Sequence, residues 1–192
     1  RVLVNKAWGI PPQARYMPTT TVPQFPLGAM SRVFASLCEQ LPEPPAGRGN
    51  ATRDTTQADT APNPAAAMTP VQRCVARQVS TPIGMHKTTA TADGQVMSDV
   101  DELYRLELGL ENPRTWRDVD VTKAWERESS SGVVRLGAYG AEGGRRHAFV
   151  RVPDRRAVVI LLTNDDAADA KGMANRILDR LLSPAAGTHQ GR

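Results

Sequence analysis

Apolar residues recur at Met30, Val33, Phe34, Leu37, Cys38 and Leu41, the i, i+3, i+4, i+7, i+8, i+11 spacing of one buried helix face. The pattern predicts a helix from Met30 that Pro42 stops. Thr69-Pro70 reads as an N-cap and N1 pair opening a short helix, with Val71, Cys74, Val75 and Gln78 along it. The segment TPIGMHKTT then reads as a loop. Ser98, with Asp101 three residues on, gives a capping-box-like start for a helix whose apolar positions are Val100, Leu103, Tyr104 and Leu106. Asn112-Pro113 ends that helix. Asp165 and Asp166 are expected to open a last one, with Ala170, Met173, Ala174, Ile177, Leu178, Leu181 and Leu182 on one side.

Strand patterning is strongest in the final third. Val133 to Tyr139 reads as a strand, AEGG as a glycine-bearing turn, and HAFVRVP as the hairpin partner. The unbroken apolar run in RAVVILLTN suggests a central strand buried on both faces. A further strand is expected over Val2 to Ile10, whereas Arg114 to Ser131 reads as polar and irregular. The order of elements implies an α+β fold, an antiparallel meander sheet flanked by terminal helices.

Pro42 to Ala67 carries Pro, Ala, Thr, Asp and Gly and no large apolar residue, so it is expected to be a flexible linker. The domain layout is therefore residues 1–41, a linker over 42–67, a main unit over 68–184 and a tail over 185–192.

The chain has 192 residues, enough for one domain with a true core. No apolar run reaches the roughly 18 residues that a membrane-spanning helix needs. A formal net charge of +4 is spread along the chain, with only Arg145-Arg146 and Arg155-Arg156 as dense spots. Nucleic-acid binding asks for a concentrated basic stripe with exposed aromatics, so none is expected. Cys38 and Cys74 offer no metal spacing and at most one disulfide; both fall on apolar helix faces, so buried free thiols are expected. The histidines at 86, 147 and 189 form no i, i+4 pair, and no metal or other cofactor is expected. The glycines of GAYGAEGG lack a following Lys-Ser/Thr and helix, so they do not read as a phosphate loop.

Several segments stand, in order, in recurring motif frames. Phe25, Gly28, Ser31, Phe34 and Ala35 stand in the frame F-x-x-G-S-x-S-K-x-F-T-A. Pro82, Ile83, Gly84, Met85 and Thr88 match P-L-G-M-x-x-T. Ser98, Leu103 and Arg105 match S-x-x-x-D-L-a-R-f, with Glu102 at the aspartate. YGAEGG, Tyr139 to Gly144, occupies the Y-G-H-T-G-G box, followed by Pro153 and by the apolar strand ending at Asn164. In this order the segments resemble the serine β-lactamase and penicillin-binding-protein superfamily, specifically its class C β-lactamase, DD-peptidase and esterase-type serine hydrolases. The resemblance implies a β-lactamase/transpeptidase-like fold with a reduced helical lobe. It also implies a periplasmic or secreted location.

By the same resemblance, the nucleophile and the lysine of S-x-x-K fall at Ala29 and Arg32. Alanine has no attacking atom, and arginine keeps its proton at physiological pH. Ala141 replaces the histidine of the third box and Glu142 its hydroxyl residue, while Gly143 is expected to keep the strand edge open to a ligand. None of Tyr16, Tyr104 and Tyr139 is followed two residues on by Asn or Ser, so the Y-x-N or Y-x-S motif is missing. Ser31, about 200° around a helix from Ala29, is the weak alternative nucleophile. Ser129 to Ser131 reads as a solvated turn, and His86 and His147 lack visible orienting carboxylates.

The expected function is thus a β-lactamase-related homologue without catalytic residues, kept as a binding or scaffold domain for a peptide, acyl or protein ligand, or a decayed remnant. The rival expectation is an active hydrolase of amide, β-lactam or ester bonds that uses another nucleophile or is completed by another chain.

Overall fold

The computed structural model describes residues 24–42, 68–130 and 132–183. The strand expected over 2–10, the linker from 43 onward, Ser131 and the tail lie outside the described residues.

Two antiparallel sheets and four α-helices make up the described part, an α+β architecture. The larger sheet is a meander, β4 (Glu126–Ser130), β5 (Val133–Glu142), β6 (Arg145–Val152) and β7 (Ala157–Thr163), each paired with its sequence neighbour. The smaller sheet places β3 (Val96–Ser98) between β1 (Phe25–Pro26) and β2 (Thr89–Ala90). Around them lie α1 (Arg32–Gln40), α2 (Pro70–Cys74), α3 (Val100–Glu111) and α4 (Ala170–Leu182).

The hairpin register explains the layering. Gly143 and Gly144 both have positive φ, 52° and 74°, so the β5–β6 connection is a two-residue turn that suits the strands' twist. Alternate residues then face opposite ways. Leu136, Ala138 and Phe149 pack into one core with Phe34 and Leu37 of α1 and Leu103 and Leu106 of α3. Ala148, Val150, Val152 and Val159 face Ala170, Ala174 and Leu178 of α4. The larger sheet is thus sandwiched, and each fully buried Phe or Leu contributes roughly 2 kcal/mol.

Several expectations are corrected. Thr69 does cap α2, and its capping box with Gln72 is formed, but the helix continues through a π-helical turn, Val75–Ser80. Asp99, not Ser98, caps α3: its carboxylate accepts from the Glu102 N–H at 2.9 Å, while Ser98 is buried in β3. Asp169 caps α4 rather than Asp165 or Asp166, whose segment is a turn before the helix. The stretch from Arg114 is not wholly irregular. It carries Trp116 and Trp125 into the core, with the Trp116 indole N–H donating to the Gln78 carbonyl at 3.0 Å, and it ends in strand β4. The apolar run Ala157–Thr163 forms an edge strand among the described residues, not a central one. On α4, Ile177 and Leu181 remain exposed.

The cysteines are also corrected: Cys38 and Cys74 form a disulfide that ties α1 to α2. Their shared apolar surroundings gave the free-thiol expectation. Packing α1 against α2 brings their Cα atoms to 5.8 Å, within bridging range.

A buried ion pair joins α3 to the larger sheet. Arg151 Nε lies 3.0 Å from Glu107 Oε2, both nearly inaccessible, with the guanidinium 5.6 Å from the Trp125 ring centroid. The two atoms meet outside hydrogen-bonding geometry. Burial, with the like charge of Glu111, outweighs the attraction of Arg151 and pushes the Glu107 carboxyl up to about 7.

Two stability tests follow from these ties. Replacing both cysteines by alanine frees a loop of 36 residues' separation and should cost about 4 kcal/mol in urea unfolding under oxidising conditions. Glu107→Ala leaves Arg151 buried without its counter-charge. It should cost about 3–5 kcal/mol at pH 8, with much of the loss recovered in Glu107→Ala/Arg151→Met.

Candidate functional site

The site is assembled where a single 3-10 turn, Gly28–Ser31, rests on the far half of β5. Only glycine permits that approach. A Cβ on Gly140 would stand 2.0 Å from the Leu27 carbonyl oxygen, and one on Gly28 would stand 2.7 Å from the Ala141 carbonyl oxygen. Gly28 also has φ +56°, a left-handed conformation that other residues adopt at a cost. Two segments far apart in sequence, GAMSR and YGAEGG, are thereby brought together.

Within this pair of segments Ala29, Ala141 and Glu142 are exposed. Strand β4 pairs with β5 only as far as Gly137, so Ala138 to Glu142 have no strand partner on that edge among the described residues. Ala138 and Gly140 are buried on this stretch and Tyr139 is half-buried, so the open part of the site is the strand end at Ala141 and Glu142, beside the turn that carries Ala29. Gly143 does not lie on the edge as expected; it forms the hairpin turn with Gly144.

Ser31 points elsewhere. It is buried, its Oγ accepts from the Val96 N–H at 3.0 Å, and it donates to Gln95 Oε1 at 3.2 Å. These contacts fasten the turn to β3, and the hydroxyl has no histidine, lysine or carboxylate as a hydrogen-bond partner. Arg32 begins α1 on the exposed side and pairs with Glu126 of β4 at 2.9 Å. Glu126 in turn faces Lys171 of α4 at 3.5 Å, and Lys171 also pairs with Glu128. The hydrogen bond from Arg32, helped by Lys171, holds the Glu126 carboxyl below its ordinary range. Arg32 thus sits in a surface ion network around the β4 edge.

Tyr139 lies across the sheet from Ala29. Its ring packs beneath Lys171, whose Nζ is 4.5 Å from the ring centroid, and burial raises its phenol. Tyr16 lies outside the described residues, and Tyr104 is half-buried on α3. Ser129 is exposed on β4. His86 is exposed, and among the described residues no three His, Cys, Asp or Glu side chains gather as metal ligands.

His147 is not the surface or hairpin residue that its position suggested. It is buried on β6, edge-on to Phe25 with centroids 5.6 Å apart. Nδ1 accepts from the Thr163 N–H at 3.4 Å, which leaves Nε2 to donate to the Pro26 carbonyl at 3.0 Å. Both nitrogens serve the neutral ring, and burial lowers its pKa. The imidazole is a brace that seats β1, and with it the site turn, against the larger sheet.

A second brace escaped sequence reasoning. Glu102 is buried, and its Oε2 accepts from the backbone N–H groups of Lys87 and Thr88 at 2.9 and 3.1 Å and from the Thr88 hydroxyl at 3.2 Å. Thr88 Oγ1 also meets Ser98 Oγ at 2.8 Å. These contacts lock the Pro82–Thr88 segment to the start of α3 and to β3, the strand that anchors Ser31. The sequence signal was the pairing of Thr88 with an acid four residues after Ser98.

Two cavities lie elsewhere: a crevice of about 300 Å³ beyond the end of α3, floored by Leu110, Trp116, Val119 and Val121, and an open groove along α4. Comparison with known proteins finds no family model, no curated protein and no solved structure that matches this chain.

The histidine brace has a pH signature. The folded ring has a lowered pKa, so the unfolded chain, titrating near 6.5, takes up the proton first. Stability from His147 is present above about pH 6.5 and is lost as the pH falls toward the folded value. Glu107, raised to about 7, runs the other way, losing its contribution as the pH rises. The His147 effect is therefore read as a difference: His147→Gln should be less stable by about 1–2 kcal/mol at pH 8. That gap should shrink toward pH 5 in urea titrations; a gap that is constant with pH would rule out the neutral buried ring.

Proposed function

We propose that this chain is a non-catalytic homologue of the β-lactamase-related serine hydrolases that presents the open edge of β5 to an extended peptide or acyl-peptide ligand. The observation that carries the reading is that the turn bearing Ala29 rests on β5 at Ala141, with Arg32 just past the turn and paired to the neighbouring strand β4. The resemblance assigns its nucleophile, lysine and third-box histidine to these three positions. The methyl of Ala29 cannot attack a carbonyl, and Arg32 is a permanent cation already paired with Glu126. What remains is the end of β5 beyond its pairing with β4, exposed at Ala141 and Glu142, a short edge for binding a strand by β-addition. The α+β layout, an antiparallel meander sheet with helices packed on it, is compatible with this reading. The Cys38–Cys74 disulfide suits an oxidising compartment, in keeping with a periplasmic or secreted protein.

The test is covalent capture. A fluorescent penicillin or a fluorophosphonate should leave the intact mass unchanged, and Ala29→Ser/Arg32→Lys/Ala141→His should still give little turnover because no tyrosine motif completes the site. An adduct on Ser31 or Ser129, or substantial turnover by the triple variant, would overturn the reading. Reversible binding is checked by backbone amide shifts: unlabelled acyl-peptides should move Ala141 and Glu142 most, and Ala141→Pro should abolish the effect.

A further inference from the structure

Beyond the last turn of α3 the chain curls back on itself, and the crevice of about 300 Å³ that it shelters is lined by residues of the single stretch 110–121. Leu110 and Trp116 form a buried floor, and Val119 and Val121 form half-buried walls. The floor is fixed from behind. The Trp116 indole N–H is committed to the Gln78 carbonyl at 3.0 Å, and the ring packs so closely on Gly109 that a Cβ there would stand 3.1 Å from Cη2. A preformed apolar hollow of this size suits a small ligand.

The rim of this hollow is acidic, on a chain whose formal net charge is +4. Glu111 and Asp118 both line the crevice, both are exposed, and neither forms an ion pair among the described residues. The end of α3 adds the negative pole of the helix dipole, and no basic residue stands in its last turn to offset it. The charge of Glu111 is already felt by Glu107, one turn earlier. Arg114 and Arg117 belong to the same stretch, but they are exposed and form no part of the crevice lining.

We propose that the crevice binds a small organic cation, a primary ammonium on a short aliphatic chain. The chain lies on Leu110, Trp116 and the two valines, and the ammonium sits at the rim with Glu111 and Asp118. The site shares no residue with the strand end of β5, so it does not depend on the function proposed there.

Other ligand classes use only part of what the crevice offers. A neutral chain of the same length gains burial against the floor but nothing from the carboxylates. An organic anion meets two like charges and the negative end of α3. A bare metal ion gains nothing from the apolar floor, and two exposed carboxylates fall short of the oxygen ligands that a hard cation gathers. Only a molecule apolar at one end and cationic at the other matches both halves.

The test titrates the full chain with n-hexylammonium, 1-hexanol and hexanoate in turn, following the Trp116 indole and the backbone amides of residues 110–121 by NMR. Saturable shifts are expected with the ammonium, at an affinity roughly fivefold above that of the alcohol, and no saturation with the carboxylate. Raising the ionic strength should narrow the gap between ammonium and alcohol. Glu111→Gln/Asp118→Asn should close it while leaving hexanol binding unchanged, which reports an intact floor. Asparagine accepts the left-handed backbone of Asp118, whose φ is 60°, so the turn is kept. The absence of saturable shifts with hexylammonium overturns the proposal. Equal affinity for ammonium and alcohol in the unmutated chain overturns it too, a comparison that requires no variant to fold. A folded double variant that still prefers the ammonium removes Glu111 and Asp118 from the site and overturns it equally.

Discussion

The approach of the Leu27–Gly28 backbone to Gly140 and Ala141 fixes the rest of the structure. Carbonyl oxygens of one segment occupy the space where the other's side chains would begin, and the 2.0 Å clash that a Cβ at Gly140 would make with Leu27 O leaves no tolerance. This contact sets where α1 starts and hence which residues of its stripe enter the core. It also decides which residue of the site turn faces outward. Met30 and Ser31 turn inward, and Ala29 turns out. Had the turn stood even one methyl group away from β5, Phe34 and Leu37 would lose their packing against the sheet, at a cost of several kcal/mol in cavities.

A contact between two backbones supplies position but little orientation, and buried polar groups add it. His147 holds Pro26 by its Nε2, Ser31 holds Val96 by its Oγ, and Glu102 gathers the N–H groups of Lys87 and Thr88. Each would be costly to bury unpaired, so each is satisfied in essentially one arrangement of its neighbours. Glu107 and Arg151 are the exception. Desolvation outweighs the attraction between them, so this pair fastens α3 to the sheet against the cost of its own burial.

Periodicity made the main elements legible. The stripe from Met30 to Leu41, the hairpin around Gly143-Gly144 and the stop at Asn112-Pro113 all stand where the residues pointed, because local geometry decides them. The errors share one cause: the deciding partner was distant in sequence. Asp99 outcompeted Ser98 as the cap because Thr88 claims the Ser98 hydroxyl. The disulfide required the packing of α1 on α2, which neither stripe reveals. RAVVILLTN reads as buried on both faces, and its two faces are indeed covered in part by α3 and α4; which of its edges would be paired is invisible to side-chain pattern. At the candidate site, Ala29, Arg32 and Ala141 were found by motif, whereas the His147 and Glu102 braces became visible only through their hydrogen bonds.

The division between site and support has an energetic meaning. The positions altered relative to the resembled motifs, Ala29, Arg32, Ala141 and Glu142, are all exposed, and exposed substitutions change stability by only about 0.5 kcal/mol. Gly28, Gly140, Ser31 and Glu102, which hold the turn against the strand, are crowded or buried, where one change costs several times more. On the proposed reading, reactive groups can vanish from such a site while its shape stays, because the fold never leaned on them. The strand edge of β5 persists for the same reason: its vacancy follows from where β4 stops pairing, at Gly137, and not from any residue that chemistry required.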